Sequence, residues 1–463
     1  MDATQFDALI IGTGQAGPSL AVRLAEAGMR TAIIEQGAFG GTCVNTGCTP
    51  TKALVASAYA AHVARRAGDY GVVIPPGAVG VDMQAIKRRK DAIVARSNTN
   101  IESWLRSTKG LTVVHGRARF TAPRTVQVGE AVFAADKVFI NVGGRPSVPR
   151  LPGVDDVPFL TSDTILDLAR LPRHLVVVGG SYIGLEFAQM YRRFGAEVTI
   201  VEMGQRLLGR EDPDVSEEIR TVLANENIGI RLGAECIALA RTDAAVTVNV
   251  SCKQGEPAVR GSDVLLAVGR VPNTDALGLD RAGVRVDAKG YIEVDDELRT
   301  SESGTYALGD CNGKGAFTHT AYNDYEIVAA NLLENARRRG SERKTAYALY
   351  IDPPLGRIGM SEVEACRSGA KVLVGKRPMT RVARAVEKGE DQGFMKLVVD
   401  AESKRLLGAA VLGVGGDEVV HSLIEALYAG IPYPEIQKAV RIHPTVSELI
   451  PTVLGSLEPS RAS

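Results

Sequence analysis

No uninterrupted apolar stretch in this 463-residue chain is long enough to cross a bilayer. Neither sign of charge is in excess. Lys+Arg and Asp+Glu both total 54, and a net charge of +0 gives no reason to expect a nucleic-acid or polyanionic partner. A secretory signal is also missing: the first apolar run, Ala8-Leu9-Ile10-Ile11, follows Asp2 and Asp7 and leads straight into glycines, so the expected location is the cytoplasm. Cysteine is sparse. Six in a chain of this length are no disulfide scaffold. Cys236, Cys252, Cys311 and Cys366 are scattered and read as buried or incidental thiols, and the tail from Leu449 has none. One basic run, Arg337-Arg338-Arg339 with Arg343 and Lys344, reads as a solvated loop near a domain boundary.

What remains is a globular composition, 45% hydrophobic and 23% charged, with room for about three domains at ~150 residues each. Ala8-Leu9-Ile10-Ile11 is a short fully apolar run, as in a buried parallel strand. Gly12-Thr13-Gly14-Gln15-Ala16-Gly17 follows, then Leu20, Ala21, Leu24 and Ala25 at helical spacing, then the strand Thr31-Ala32-Ile33-Ile34-Glu35. This is a complete βαβ dinucleotide fingerprint. Gly12, Gly14 and Gly17 allow the tight turn and close approach to a pyrophosphate, the helix N-terminus favours the phosphates, and Glu35 can accept from a ribose hydroxyl. A second fingerprint runs from Leu175-Val176-Val177-Val178 through Gly179-Gly180-Ser181-Tyr182-Ile183-Gly184 to Val198-Thr199-Ile200-Val201-Glu202. Ser181 stands where the middle glycine would be. Glu202 favours a free 2′-hydroxyl and repels a 2′-phosphate, hence NADH, although Arg206 and Arg210 nearby leave NADPH possible.

Between the fingerprints lies Gly40-Gly41-Thr42-Cys43-Val44-Asn45-Thr46-Gly47-Cys48-Thr49-Pro50-Thr51-Lys52. At i and i+5 on an ideal helix the two cysteines are beyond disulfide reach, so a bridge needs an irregular turn, which Gly47 can supply. Pro50 suits the first turn of a helix with Thr49 as its cap, which sets Cys48 at the positive end and favours a thiolate. Two buried thiols remain the alternative. A zinc site would need more paired ligands than His62. Helices are expected over Ala53–Arg66, Val81–Ser107, Thr320–Arg338 and Gly416–Ala429. Strands are expected within Leu111–Phe133, at Lys137–Val142 and Val264–Val268, and at Thr305-Tyr306-Ala307-Leu308 before Gly309-Asp310, whose carboxylate can bind a polyol. The Pro- and Gly-containing segment Pro146–Pro158 reads as a domain crossing. Near the end, His443 and Glu448 are close enough to pair across a turn, a candidate acid–base couple.

Taken together, the motifs resemble the flavin-dependent pyridine nucleotide–disulfide oxidoreductases of the glutathione reductase, dihydrolipoamide dehydrogenase and mercuric reductase type. The resemblance implies an α/β fold with two Rossmann-like domains, for FAD and NAD(P)H, and a C-terminal α+β dimerisation domain. Its boundaries would be 1–150 and 273–342 for FAD, 151–272 for NAD(P)H and 343–463 for dimerisation. Gly12, Gly14, Gly17, Glu35, Gly41, Thr42, Gly143 and Asp310 would bind FAD; Gly179, Gly180, Gly184, Glu202 and Gly269 would serve the nicotinamide nucleotide. Tyr182 would cover the nicotinamide pocket. Cys48 would face the flavin and Cys43 the substrate, with a redox-active disulfide between them. Lys52 would lie by the flavin and pair with Glu186. His443, oriented by Glu448, would manage protons at the dithiol of a second copy of the chain in a homodimer.

The acceptor implied is a small disulfide or soft metal ion, with a flavin reductase of quinones or metal ions as the alternative. A non-catalytic binding protein is disfavoured by the intact set Cys43, Cys48, Lys52, Glu186, His443 and Glu448. Mercuric reductases carry a C-terminal cysteine pair and often a metal-binding N-terminal extension, neither of which is expected here. No basic cluster suggests glutathione. If Glu202 sets the nucleotide, NADH should bind more tightly than NADPH when the two affinities are measured side by side; a clear NADPH preference overturns that argument.

Overall fold

The structure, a computed structural model, describes residues 3–235, 237–242, 245–250 and 256–461; Cys236 and Cys252 lie outside them. Among the described residues the first sheet has seven strands, with Thr4–Ile11 at its centre. Its inner run Ala8–Ile11 is buried on both faces, which is why it shows no alternation. Thr31–Glu35 and then Leu111–His115 lie parallel on one side of it. On the other side lies Ala131–Ile140, to which Thr125–Val128 and Ala118–Ala122 add as an antiparallel flap. Thr305–Ala307 pairs in parallel with Val138–Ile140, so the chain returns to this sheet after building a second unit.

The second unit repeats the plan. Gly229–Arg231, Glu197–Val201, His174–Val178 and Asp263–Leu266 form a parallel four-stranded sheet. The ribbon Gly144–Pro146 and Arg270–Pro272 ties the outgoing and returning crossings together. Six antiparallel strands between Ala346 and Pro459 make the C-terminal sheet, covered by the helix Gly416–Ala429, a helix expected from the sequence. No helix among the described residues is long and apolar enough to cross a membrane.

Three expected boundaries move. The helix bearing Cys48 begins at Cys48 itself, with Gly47 as cap, so Thr49 caps nothing. The long helix is Met83–Ser107 because Asp82 caps it, its Oδ1 accepting from Gln84 and Ala85 N–H at 2.9 and 3.0 Å. The helix expected to reach Arg338 spans Thr318–Leu333. Beyond it Asn335 takes φ +53°, and the Asn331 side chain clamps the Arg338 backbone through two 2.9 Å hydrogen bonds, turning the chain back. The basic run is not all solvated either. Arg343 packs inward against Asp324, which is 1% exposed, and also donates to Asn323 at 2.9 Å.

Asp324 in turn accepts from Gly309 N–H at 2.8 Å and Asn312 Nδ2 at 3.0 Å, fixing the turn that presents Asp310. Asp324→Ala strands Arg343 and two donors, so urea unfolding of the apoprotein should lose about 3 kcal/mol or more. An unmoved urea midpoint would mean that Arg343 is held by other groups.

Candidate active site

The cysteine stretch folds as a short helix, Gly41–Asn45, a turn at Thr46-Gly47, and the 18-residue helix Cys48–Arg65. At Gly47 the backbone presses back onto the short helix: a Cβ there would sit 2.8 Å from the Thr42 carbonyl oxygen and 3.2 Å from Cys43 Cα. That approach is open only to glycine, and it brings the two thiols together as an ideal helix would not. Asn45 fastens the turn by donating to the Phe39 and Gly41 carbonyls, both at 2.9 Å.

Both cysteines are free thiols. Their protons are unequally held. The hydrogen bond with Cys43 pulls Cys48 down to about 6, helped by the Thr318 hydroxyl at 3.4 Å and by the Lys52 charge, against the opposing pull of burial and of Glu186. The same hydrogen bond, with burial and the Cys48 charge, pushes Cys43 well above the ordinary thiol range. Cys48 also heads its helix, where the helix dipole favours an anion. One turn on, Lys52 Nζ meets Glu186 at 2.8 and 3.0 Å and lies 4.6 Å above the Tyr350 ring.

The cysteines open onto a cavity of about 940 Å³ whose wall includes Gly12, Gly14, Glu35, Thr42, Gly143 and Asp310. Gly12, at φ +101°, lets its turn approach the Asn141 carbonyl, where a Cβ would sit only 2.3 Å away. Asn141 is a linchpin that the sequence reading passed over: Oδ1 accepts from Gly17 N–H at 3.0 Å and Nδ2 donates to the Leu308 carbonyl at 2.9 Å, joining the fingerprint to the Gly309-Asp310 turn. Its only sequence signal was an amide at the end of an apolar strand. Glu35 accepts from Thr13 N–H and hydroxyl at 2.9 and 2.6 Å and from Gly37 N–H at 2.9 Å. Burial lifts the Asp310 carboxyl above its usual range. A cavity lined by a glycine turn, a carboxylate at a strand end and the half-buried carboxylate of Asp310 suits FAD, whose phosphates, ribose and ribityl hydroxyls need those groups.

The second fingerprint has the same construction. Gly179 takes φ +120° against the Ala267 carbonyl, and Glu202 accepts from Gly180 and Gly204 N–H, both at 2.6 Å. Of this motif Tyr182 and Ile183 line the cavity, whereas Gly179, Gly180, Gly184 and Glu202 do not. Gly269, at φ +122°, precedes Arg270, which reaches the cavity wall and donates to the Gly144 carbonyl. His443 is apart from all of this. Its Nδ1 is 3.0 Å from Glu448, as expected, but the imidazole is 74% exposed and does not line the cavity. Sequence reasoning also missed Thr318 and Tyr350, which reach Cys48 and Lys52 only through the fold, and Phe317, which lines the cavity.

The unequal thiols give a direct test. Titration of the reduced apoprotein, followed by thiolate absorbance, should show an inflection near about pH 6 that Cys48→Ser removes. Cys43→Ala should move the inflection upward, since the Cys43 hydrogen bond is the main cause of the lowering. An inflection only in the ordinary thiol range would contradict the assignment.

The family model described as pyridine nucleotide-disulphide oxidoreductase matches residues 6–324, and the one for the dimerisation domain of the same family matches 345–454. The chain is 36% identical over 453 residues to the probable pyridine nucleotide-disulfide oxidoreductase RclA of Escherichia coli, covering 96% of this chain and 97% of that protein. It is 32% identical over 459 residues to the dihydrolipoyl dehydrogenase of Haloferax volcanii, covering 97% and 95%. Against mercuric reductase of Staphylococcus aureus identity is 30% over 443 residues, covering 96% and 81%. A solved structure, the Cu(II) complex of the HOCl-induced flavoprotein disulfide reductase RclA from Escherichia coli, superposes with a TM-score of 0.88 at 33% identity, covering 98% of this chain and 99% of that one. With both of its domain models matched and its relatives aligned over nearly the whole length, the chain belongs to the pyridine nucleotide-disulphide oxidoreductases, enzymes that use FAD and NAD(P)H.

Proposed function

We propose that this enzyme takes electrons from NADH and passes them through Cys43 and Cys48 to a small disulfide or a thiophilic metal ion, Cu(II) included. The observation that carries the reading is geometric: the Gly47 turn brings two free cysteines to the cavity wall, with Cys48 at the start of its helix one turn from Lys52. The Cu(II) complex of RclA supports a metal acceptor, and a second RclA complex with Cu(II) was solved with its own C43S substitution. We read residues 1–150 and 273–342 as holding FAD, 151–272 as holding the nicotinamide nucleotide and 343–463 as the pairing domain.

In this reading Gly12, Gly14 and Gly17 receive the FAD pyrophosphate, Glu35 the ribose and Asp310 the ribityl chain, with Gly41, Thr42 and Gly143 along its length. Bound FAD supplies the hydride acceptor that links a two-electron donor to the thiols. Lys52, steadied by Glu186, places a positive charge beside Cys48 and the flavin position. Gly179, Gly180, Gly184, Glu202 and Gly269 hold the nucleotide, and Tyr182 covers the nicotinamide pocket. Cys43, once deprotonated, attacks one sulfur of a disulfide acceptor and expels the other as a thiolate, leaving a mixed disulfide. Cys48 thiolate then attacks the Cys43 sulfur, closes the Cys43–Cys48 disulfide and releases the second thiol. For Cu(II), two ions take one electron each as the same disulfide forms.

Cys43 keeps its proton, so the cycle needs a base. His443, held by Glu448, fits that role from a second copy of the chain, taking the Cys43 proton and returning it to the leaving thiolate. Its distance from its own chain's cavity and the exposure of Val440 (99%) and Ile442 (80%) beside it support a homodimer. A cytoplasmic setting suits an enzyme fed by NADH.

An acceptor panel with NADH (lipoamide, small disulfides, quinones, Hg(II) and Cu(II)) tests the reading. Cys43→Ser and Cys48→Ser should each abolish disulfide and Cu(II) turnover while FAD stays bound, and His443→Ala should slow turnover roughly a hundredfold or more. Full turnover of every acceptor by Cys43→Ser would favour direct reduction by the flavin, the quinone-reductase alternative.

A further inference from the structure

Behind the cavity wall a chain of rings leads to a buried ion pair that the reaction above does not use. Tyr182, first residue of the helix Tyr182–Phe194, stands edge-on to Tyr347, with ring centroids 5.4 Å apart and an interplanar angle of 83°. Tyr347 stacks on Phe317 at 5.6 Å, and Phe317 also meets Tyr182 edge-on at 6.1 Å. Tyr347 is not free to shift. Its hydroxyl donates to Glu211 Oε1, and the other oxygen of that carboxylate lies 3.3 Å from Arg357 Nε. Glu211 and Arg357 are each 3% exposed. Arg357 is pinned further by donating to the Ile358 and Ala409 carbonyls at 2.8 and 2.9 Å.

Two parts of the fold meet at this ion pair. Tyr347 and Arg357 face each other across two strands of the C-terminal sheet, whereas Glu211 enters from just ahead of the second unit's helix Pro213–Asn225. Burying such an ion pair is a poor source of stability, because apolar residues of the same volume would serve as well. What it supplies is a fixed position for the Tyr347 ring and hydroxyl, which lie in contact with Tyr182.

We propose that Glu211, Arg357 and Tyr347 are positioning residues that latch Tyr182 shut over the nicotinamide face and so set the affinity for NADH. The proposal rests on the reading that Tyr182 covers the nicotinamide pocket. A ring that must open before the nicotinamide can stack lowers the apparent affinity by the fraction of time it is open. Weakening the latch raises that fraction, so it tightens NADH binding. An ordinary structural defect would leave binding unchanged or weaken it.

The test is stopped-flow flavin reduction by NADH in the holoenzyme, which separates the dissociation constant from the limiting rate. Tyr347→Phe keeps both ring contacts and removes only the hydroxyl. It should lower the NADH dissociation constant roughly three- to tenfold, the worth of about one hydrogen bond, with the limiting rate unchanged within about twofold. In a Tyr182→Ala background the same substitution should have no effect, because the latch then has nothing to hold. An unchanged or weaker NADH affinity in Tyr347→Phe overturns the proposal, as does a tightening that persists without Tyr182. If Tyr182→Ala alone binds and reacts with NADH as the unsubstituted enzyme does, it is the nicotinamide reading of Tyr182 that fails.

Discussion

The ion pair between Lys52 and Glu186 is the junction on which the site depends. Glu186 is 7% exposed, on a helix whose neighbours Leu185 and Phe187 are core residues of the second unit. Alone, its charge would be costly there. It is accommodated because Lys52 meets both of its oxygens and Tyr350 N–H adds a third contact at 3.0 Å. These contacts come from the helix that begins at Cys48 and from the segment that follows the strand Ala346–Leu349. The thiols, the second nucleotide unit and the C-terminal sheet are thereby registered against one carboxylate. The same pairing leaves Lys52 with its charge near Cys48, so the contact that aligns the units also contributes to the thiolate.

Around that junction the chain uses one local design twice. In each fingerprint a glycine of positive φ lets the strand end approach a carbonyl of the neighbouring strand, and a glutamate at the end of the second strand is tethered by backbone N–H groups. The surroundings differ. The first turn forms part of the large cavity, whereas the glycines of the second lie outside it and only the start of its helix, at Tyr182 and Ile183, reaches in. Two similar glycine turns therefore sit in different units, and Tyr182 and Ile183 link the second of them to the cavity.

What was legible in the sequence follows from how local each feature is. The fingerprints, the Gly47 turn and the His443–Glu448 pair involve neighbours within a few residues or within one βαβ unit, and pattern alone finds them. Lys52–Glu186 spans 134 positions and was reached only through resemblance to a family. Thr318, 270 residues from Cys48, and Glu211, 136 from Tyr347, gave no sign of these partners, since a threonine at a helix start and a glutamate two residues before a proline are common surface features. The helix ends were misjudged where a side chain intervened: Asp82 as a cap, and Asn331 bonding the Arg338 backbone in place of another helical turn.

The thiol pair narrows the kind of acceptor more than the cavity does. A dithiol with a single easily lost proton presents one thiolate at neutral pH, and in this chain that thiolate is Cys48, the residue heading its helix beside Lys52. Cys43 has its proton held by its neighbour, so it becomes nucleophilic only when that proton is taken. An acceptor that collects electrons directly from a flavin gains nothing from this division, because it needs neither a protected nucleophile nor a base at the protein's edge. An acceptor that must bond to sulfur gains from both. On the proposed mechanism, the attacking thiol would stay quiet until a base is in place, and the standing thiolate would be ready to resolve whatever Cys43 captures. In the proposed reading, that asymmetry suits a substrate that bonds to sulfur.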